Sequence, residues 1–311
     1  MHLETLRFIY TPQQIFILFV SFGESFIKTF SALTEKLTAI IKLIRPINFL
    51  ITYISVIVAA FICLPDKSPS MNVFIAALAA SLVMASGNII NDVFDIEIDR
   101  INRPSRPLPS GLIKIKFAVI FYFILVLISL ALSLLISQSA FTIVLISHLI
   151  LFLYSKYLKK VLLIGNITVA FLTGLVFIFG GVAVGNPLAA IIPASFAFLI
   201  NLIREIVKDM EDVEGDRKAD VITFPIKFGF QKSKVLILVI TIFLVFFTLY
   251  PFLTKLYKIE FFIVVMILVN PILVYSIKLL FENHSSKNLN KISNLLKLDM
   301  VFGLIAIYFG V

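Results

Sequence analysis

Asn91-Asp92-Val93-Phe94-Asp95-Ile96-Glu97-Ile98-Asp99 closes one long apolar run, and Glu205-Ile206-Val207-Lys208-Asp209-Met210-Glu211-Asp212-Val213-Glu214-Gly215-Asp216 closes another. With Asp220, these stretches hold eleven of the eighteen carboxylates in a chain that is 60% hydrophobic. On insertion scales, a carboxylate at the centre of a bilayer costs about 2.5–3.5 kcal/mol. Acids gathered at the ends of apolar runs therefore mark a membrane face with a purpose. Two such clusters read as one site for divalent metal ions, and so for a phosphorylated ligand.

Working outward, the mean hydropathy of +1.07 and the 14% of charged residues place the chain among integral membrane proteins. Nine apolar runs read as spans, at about 47–64, 71–91, 117–136, 140–155, 162–182, 187–204, 235–254, 260–280 and 298–311, the last with a start that can lie earlier, near Ile292. They are too long and too uniform for barrel strands, so the expected fold is all-α, a polytopic bundle of nine transmembrane helices. Residues 37–311 form that unit. Residues 1–36 form an N-terminal extension, read as an interfacial amphipathic helix, because Pro12, Glu24 and Lys28 crowd the short apolar stretch Ile15–Val20.

The net charge of +9 does not point to nucleic acid, since the basic residues punctuate apolar runs rather than line one surface. Connections after spans 1, 3, 5 and 7 carry only Lys67, Lys255 and Lys258 of the 27 Lys and Arg. The positive-inside rule then puts the N-terminus and the exits of the even spans in the cytoplasm. Both acidic clusters follow even spans, 2 and 6, so the site faces the cytoplasm. Their separation by four spans hints at an internal repeat. Cys63, the single cysteine, excludes an intrachain disulfide and any cysteine-based metal site. The three histidines are scattered, which disfavours a histidine-metal site.

On a helix at 100° per residue, Asn88, Asn91, Asp92, Asp95 and Asp99 share an arc of about 100°, and Glu97 points away. Asn201, Glu205, Asp209, Asp212 and Asp216 share a similar arc, with Glu211 and Glu214 facing elsewhere. Continuity of the second helix through Gly215 is an open point, and a loop there would carry Asp216. Like charges stacked at i,i+4 repel unless cations bind between them. Mg²⁺ prefers a few carboxylates plus phosphate oxygens to an all-protein cage. Basic residues lie beside the acids: Arg103 and Arg106 in the Pro-stiffened Asn102–Gly111 loop, Lys156, Lys159 and Lys160 with Tyr154 after span 4, and Arg204 and Lys208 within the second cluster. Arginine matches phosphate oxygens with a planar fork, and lysine supplies a point charge. For Lys156 and Lys160 topology anchoring is the simpler reading. Asn48 and Asn166, near the cytoplasmic ends of spans 1 and 5, read either as interhelical hydrogen bonders or as site residues.

At these residues the chain resembles the UbiA superfamily of intramembrane prenyltransferases. Asn91-x-x-x-Asp95-x-x-x-Asp99 is similar to the first Asp-rich motif of that family and Asp212-x-x-x-Asp216 to the second. Arg45-Pro46-Ile47-Asn48, Asn102–Gly111 and Gly165-Asn166 also fit. The resemblance covers about residues 40–311. It implies a nine-helix bundle around a central cavity open to the cytoplasm and laterally to lipid, with Mg²⁺ bridging both motifs through the diphosphate of an allylic prenyl donor. The motif variants are most similar to the archaeal digeranylgeranylglyceryl phosphate synthases, close to the chlorophyll and homogentisate branches, and less similar to the haem-farnesylating branch.

The resemblance implies that Asn91, Asp95, Asp99, Asp212 and Asp216 hold Mg²⁺, with Asp209 in the catalytic set. Asn91, Arg103, Arg106, Tyr154, Lys159, Asn166 and Lys208 then bind the diphosphate. The acceptor's own phosphate needs a second basic site, and Arg45 or Arg204 reads as that site, with Asn48 on the acceptor side. The partners are a prenyl diphosphate, a lipid-phosphate acceptor and membrane lipid, with no nucleic acid and no obligate protein partner. The acceptor hydroxyl attacks the allylic centre, and Asp92, Glu205 and the leaving diphosphate are candidates for its proton. An aromatic or tetrapyrrole acceptor is the alternative within the family. A cation-coupled transporter is the alternative outside it, disfavoured because transporters place their acids near the midplane on broken helices. A lipid-binding or assembly protein without activity is a third, and the intact Asp motifs argue against it.

Overall fold

The computed structural model describes residues 12–64, 70–218 and 221–311. Residues 1–11 of the extension, Lys67 and Asp220 lie outside the described residues. Among those described, all regular structure is helical. Nine helices are long and apolar enough to cross a membrane, and the protein is a multi-pass membrane protein.

Among the described residues the first element is α1 (Pro12–Ile44), which runs unbroken through residue 36. Arg45, at φ 57°, turns it into α2 (Pro46–Cys63), where proline suits the first helical position because its missing N–H would be unpaired anyway. Next come α3 (Met71–Phe94), the short α4 (Ile96–Asn102), α5 (Ile115–Leu134) and α6 (Gln138–Lys156), the last capped by Ser137, which accepts from the Ala140 N–H. Then follow α7 (Ile164–Ala183), α8 (Ile191–Glu211), the short α9 (Val213–Lys218) and α10 (Phe224–Phe247), kinked at Gly229. The last two are α11 (Ile259–Glu282) and α12 (Ser286–Gly310). In α11, a π-helical stretch at Val265–Val269 precedes Pro271, which cannot donate to the helical ladder.

Hydrophobicity faces both ways, as expected in lipid. Phe123, Leu127, Phe243, Phe246 and Ile267 are exposed on the outer surface, while Ile203, Ile237, Phe261, Leu273 and Leu296 are buried between helices. Small residues set the close approaches: a Cβ on Gly180 would lie 2.6 Å from the Val56 carbonyl oxygen, so α7 packs against α2 backbone to backbone. His148 ties three helices together. Its Nε2 lies 2.8 Å from Ser129 Oγ and its Nδ1 3.4 Å from Ser86 Oγ.

Three expectations need correction. The ninth span starts at Ser286, not 298, because buried Leu289, Ile292 and Leu296 recur at helical spacing among polar neighbours. Spans 6 and 7 are longer than read, reaching Glu211 and starting at Phe224. The acidic clusters do not lie on continuous helices. α3 stops at Asp95 (φ −93°, ψ 6°) and α8 stops at Asp212 (φ −95°, ψ 6°), and each restarts as a short helix carrying the second aspartate, so Asp216 is helical.

Candidate active site

The helix ends that carry the two Asp motifs enclose a cavity of about 460 Å³ between α2, α3, α6, α7, α8 and α12. Its mouth is polar, with Arg45, Asn48, Asn91, Arg103, Arg106 and Tyr154 on the lining. Its depth is apolar, through Val83, Leu151, Leu172, Val176 and Phe179. A smaller apolar pocket of about 90 Å³ adjoins it through Ile51, Thr173 and Met300.

The two Asp motifs meet through α4 and α9. A Cβ on Gly215 would overlap the Asn102 side chain, so glycine permits this contact. Arg103 then reaches across, with Nη2 donating to Asp212 Oδ2 at 2.9 Å and Oδ1 at 3.1 Å. Arg106 folds back and donates to Asp99 Oδ2 at 2.5 Å and Asp92 Oδ1 at 3.2 Å. Arg45 donates to Asp92 at 2.5 Å and to Asn88 Oδ1 at 2.9 Å. Its left-handed backbone is a conformation that costs on the order of 1–3 kcal/mol and persists where surroundings over-determine it. Lys159 donates to Asp95. It arrives there because the turn Leu158–Lys160 rests on Gly165, where a Cβ would lie 2.8 Å from Lys159 Cα.

Asn91 donates to Asp95 Oδ2 at 2.7 Å, while its own Oδ1 is buried without a partner among the described residues. Asn166 donates to Asp209 at 2.8 Å. Arg204 and Lys208 both donate to Glu205, at 3.0 Å. Of the sequence-predicted site residues, Arg45, Asn48, Asn91, Arg103, Arg106, Tyr154, Arg204 and Lys208 line the cavity, and the pairs above tie Asp95, Asp99 and Asp212 to that lining or to Lys159, with acids and bases interleaved rather than separated. Glu97 and Glu214 point outward, and Lys156 and Lys160 are exposed.

Electrostatics single out Asp216. Its carboxylate has no hydrogen bond or ion pair among the described residues. Burial, then repulsion from Asp212 and Asp95, pushes its pKa up to about 7. Burial also raises Asp99 and Asp212, opposed by Arg106 and Arg103 respectively. Among the described residues, no three His, Cys, Asp or Glu side chains lie close enough to hold one ion between them. That donor set suits Mg²⁺, which takes one or two carboxylates and completes its shell with water and phosphate oxygens.

The profile of the UbiA prenyltransferase family matches residues 49–298. The chain belongs to the UbiA prenyltransferase family. The digeranylgeranylglyceryl phosphate synthase of Methanosphaera stadtmanae is 36% identical over 270 residues, spanning 87% of this chain and 98% of the relative. A solved digeranylgeranylglyceryl phosphate synthase structure superimposes with a TM-score of 0.70 at 39% identity, covering 89% of this chain and 98% of the other. A UbiA homologue from Archaeoglobus fulgidus shares the fold, with a TM-score of 0.60 at 19% identity over 86% and 98% of the two chains. This UbiA-family enzyme is a prenyltransferase, and the transporter reading falls away.

Sequence reasoning missed Lys297, which lines the cavity, and passed over Asn201 as a site residue. The signal for Lys297 was present: Asn290, Asn294 and Lys297 recur at i, i+4, i+7, a polar stripe on one helix face. Starting the ninth span at 298 cut it off.

Proposed function

We propose that the protein transfers a geranylgeranyl group from its diphosphate to the free hydroxyl of geranylgeranylglyceryl phosphate, in archaeal membrane ether-lipid synthesis. The observation that carries this reading is the clasp of the two Asp motifs, with Arg103 of one on Asp212 of the other, at the mouth of an apolar cavity. The Archaeoglobus fulgidus structure contains DMAPP and Mg²⁺. The M. stadtmanae relative carries the digeranylgeranylglyceryl phosphate synthase name.

Asp95, Asp99, Asp212 and Asp216, with the unpartnered Asn91 Oδ1, are the groups that would hold Mg²⁺. Bound there, the metal supplies positive charge to the donor diphosphate as the allylic C–O bond breaks. Arg103, Arg106 and Lys159 serve two partners in turn: carboxylates when the donor is absent, phosphate oxygens when it is present. Lys208 and Tyr154 extend that cradle, and Asn166 orients Asp209 beside it. The apolar depth keeps water from the allylic cation. The acceptor hydroxyl oxygen forms the new C–O bond, and the electron pair of the old one leaves with the diphosphate. Asp92 is committed to Arg45 and Arg106, and Glu205 to Arg204 and Lys208, so the departing diphosphate takes the hydroxyl proton. Asn48, Arg45 and Arg204 face the acceptor.

In this reading the site opens to the cytoplasm, following the loop charges. Residues 1–36 are an extension to a prenyltransferase domain of residues 37–311. The exposed stripe Phe22, Phe26, Phe30, Leu33, Leu37 and Ile41 supports placing α1 in the membrane interface. The test is diphosphate release by purified protein with Mg²⁺, geranylgeranyl diphosphate and separate acceptors: geranylgeranylglyceryl phosphate, 4-hydroxybenzoate, homogentisate and a naphthoate. Release with the glycerol phosphate alone supports the reading, and release with an aromatic acceptor alone overturns it.

A further inference from the structure

Along α8, Arg204 precedes Asp212 by eight residues, about 12 Å of helix. The lining there changes character. Arg204 spends one terminal nitrogen on Glu205, but its Nε is buried and has no acceptor. Asn201, one turn earlier and only 5% exposed, buries its Nδ2 without an acceptor. From the facing helix, Lys297 of α12 lines the same cavity with no hydrogen bond or ion pair among the described residues, and its charge acts on Arg204, Lys208 and Arg45. Buried donors are normally paired, because leaving one unmade costs about 1–3 kcal/mol, and more for a charged group. Two donors without acceptors among the described residues and an unpaired ammonium, all on residues lining one cavity, form an arrangement suited to an anion.

The local charge says what kind. Arg45, Arg204, Lys208 and Lys297 converge here; Asp92 pairs with Arg45, Glu205 pairs with Arg204 and Lys208, and Glu211 also lines the cavity. Positive charge is in excess, which suits a phosphate monoester. The acids that would hold the metal for the donor diphosphate are separate, at α4 and α9.

We infer that Lys297, Arg204 Nε and Asn201 Nδ2 form a second anion subsite that binds the terminal phosphate of the acceptor and selects a phosphorylated lipid over an uncharged one. This rests on the proposed reaction and extends it to residues that the motifs do not include. Lys297 reaches the phosphate across α12, whose buried edge fixes its direction through Leu296 and Ser293.

The experiment compares wild type, Lys297→Met and Lys297→Arg on geranylgeranylglyceryl phosphate and on dephosphorylated geranylgeranylglycerol. Losing a charge-assisted bond predicts an acceptor KM raised about 10- to 100-fold in Lys297→Met. The donor KM stays within twofold, Lys297→Arg recovers most of the loss, and the preference for the phosphorylated acceptor collapses. Without donor or Mg²⁺, geranylgeranylglyceryl phosphate raises the melting temperature of wild type and not of Lys297→Met. A changed donor KM with an unchanged acceptor KM assigns Lys297 to the diphosphate and overturns the inference. So does a preserved preference. If wild type uses geranylgeranylglyceryl phosphate and Lys297→Met matches it, this inference fails alone. If wild type turns over only aromatic acceptors, the proposed function fails and this subsite fails with it.

Discussion

Asp216 offers a test of the acidic site that needs no substrate. Its carboxyl lies outside the spans, half-buried, with a pKa near 7 set by burial and by Asp212 and Asp95. In the unfolded chain it titrates near 3.8, the ordinary value. Between these values the folded protein holds the proton and the unfolded chain does not. Stability therefore falls as pH rises through this window. At 1.36 kcal/mol per pH unit, the full gap corresponds to about 4 kcal/mol. Solvent screening of a half-buried group leaves about 1–2 kcal/mol of that. Asp99 and Asp212, raised by burial too, act in the same direction. Thermal unfolding in detergent with chelator, from pH 4.5 to about 8, should show this decline in wild type and a shallower one in Asp216→Asn. Mg²⁺ should restore stability at pH 8 in wild type more than in the variant. Parallel profiles for the two proteins, or equal stabilisation by Mg²⁺, would refute the reasoning.

Asp95→Ala and Asp212→Ala should each abolish diphosphate release while the protein still inserts and elutes as a folded species; wild-type turnover in either would sink the two-motif metal site. Gly180→Val sets a Cβ 2.6 Å from the Val56 carbonyl oxygen and 2.7 Å from Ala59 Cβ, so α2 and α7 must part. The expected loss is about 1–3 kcal/mol, read as a lower melting temperature in detergent, and an unchanged value counts against the close packing. Asp299, 1% exposed on α12, has no partner for either carboxyl oxygen among the described residues, so Asp299→Leu should gain about 1–3 kcal/mol and melt higher. A lower melting temperature would reveal a partner for that acid.

The spans were legible because a helix crossing lipid needs a long uniform apolar run, a pattern that the short alternating strands of a barrel do not produce. The ends were less so. Ser286–Lys297 is rich in Asn and Lys, and hydropathy alone cannot tell a solvated loop from a helix whose polar face lines a cavity. The four aspartates were legible as acids out of place. Their spacing could not show that Asp95 and Asp212 each end a helix, because i,i+4 periodicity survives one non-helical residue. Nor could composition foresee that Arg103 belongs to Asp212, a contact across 109 positions of sequence. That pairing depends on Gly215 admitting Asn102, which is a matter of packing.

The break at each motif is also the firmest sign that the site is built twice. Asp95 and Asp212 share φ and ψ within a few degrees, and each separates a long span from a short helix. Four spans apart, α2 and α7 both start after a residue in the left-handed region, Arg45 at φ 57° and Leu163 at φ 61°. Each carries an asparagine three residues later, Asn48 and Asn166. Asp92 stands three residues before Asp95 as Asp209 stands three before Asp212. The second half joins its pair directly, Asn166 to Asp209. In the first half Arg45 takes the aspartate instead. The half with arginine pairs its inner acid with Arg45 and Arg106 and leaves Asn48 on the cavity wall. The half with asparagine gives its inner acid a neutral hydrogen-bond donor and, among the described residues, no ion pair. From one folding plan, the two halves thus hold their inner acids differently, one between guanidinium groups and one on a neutral amide.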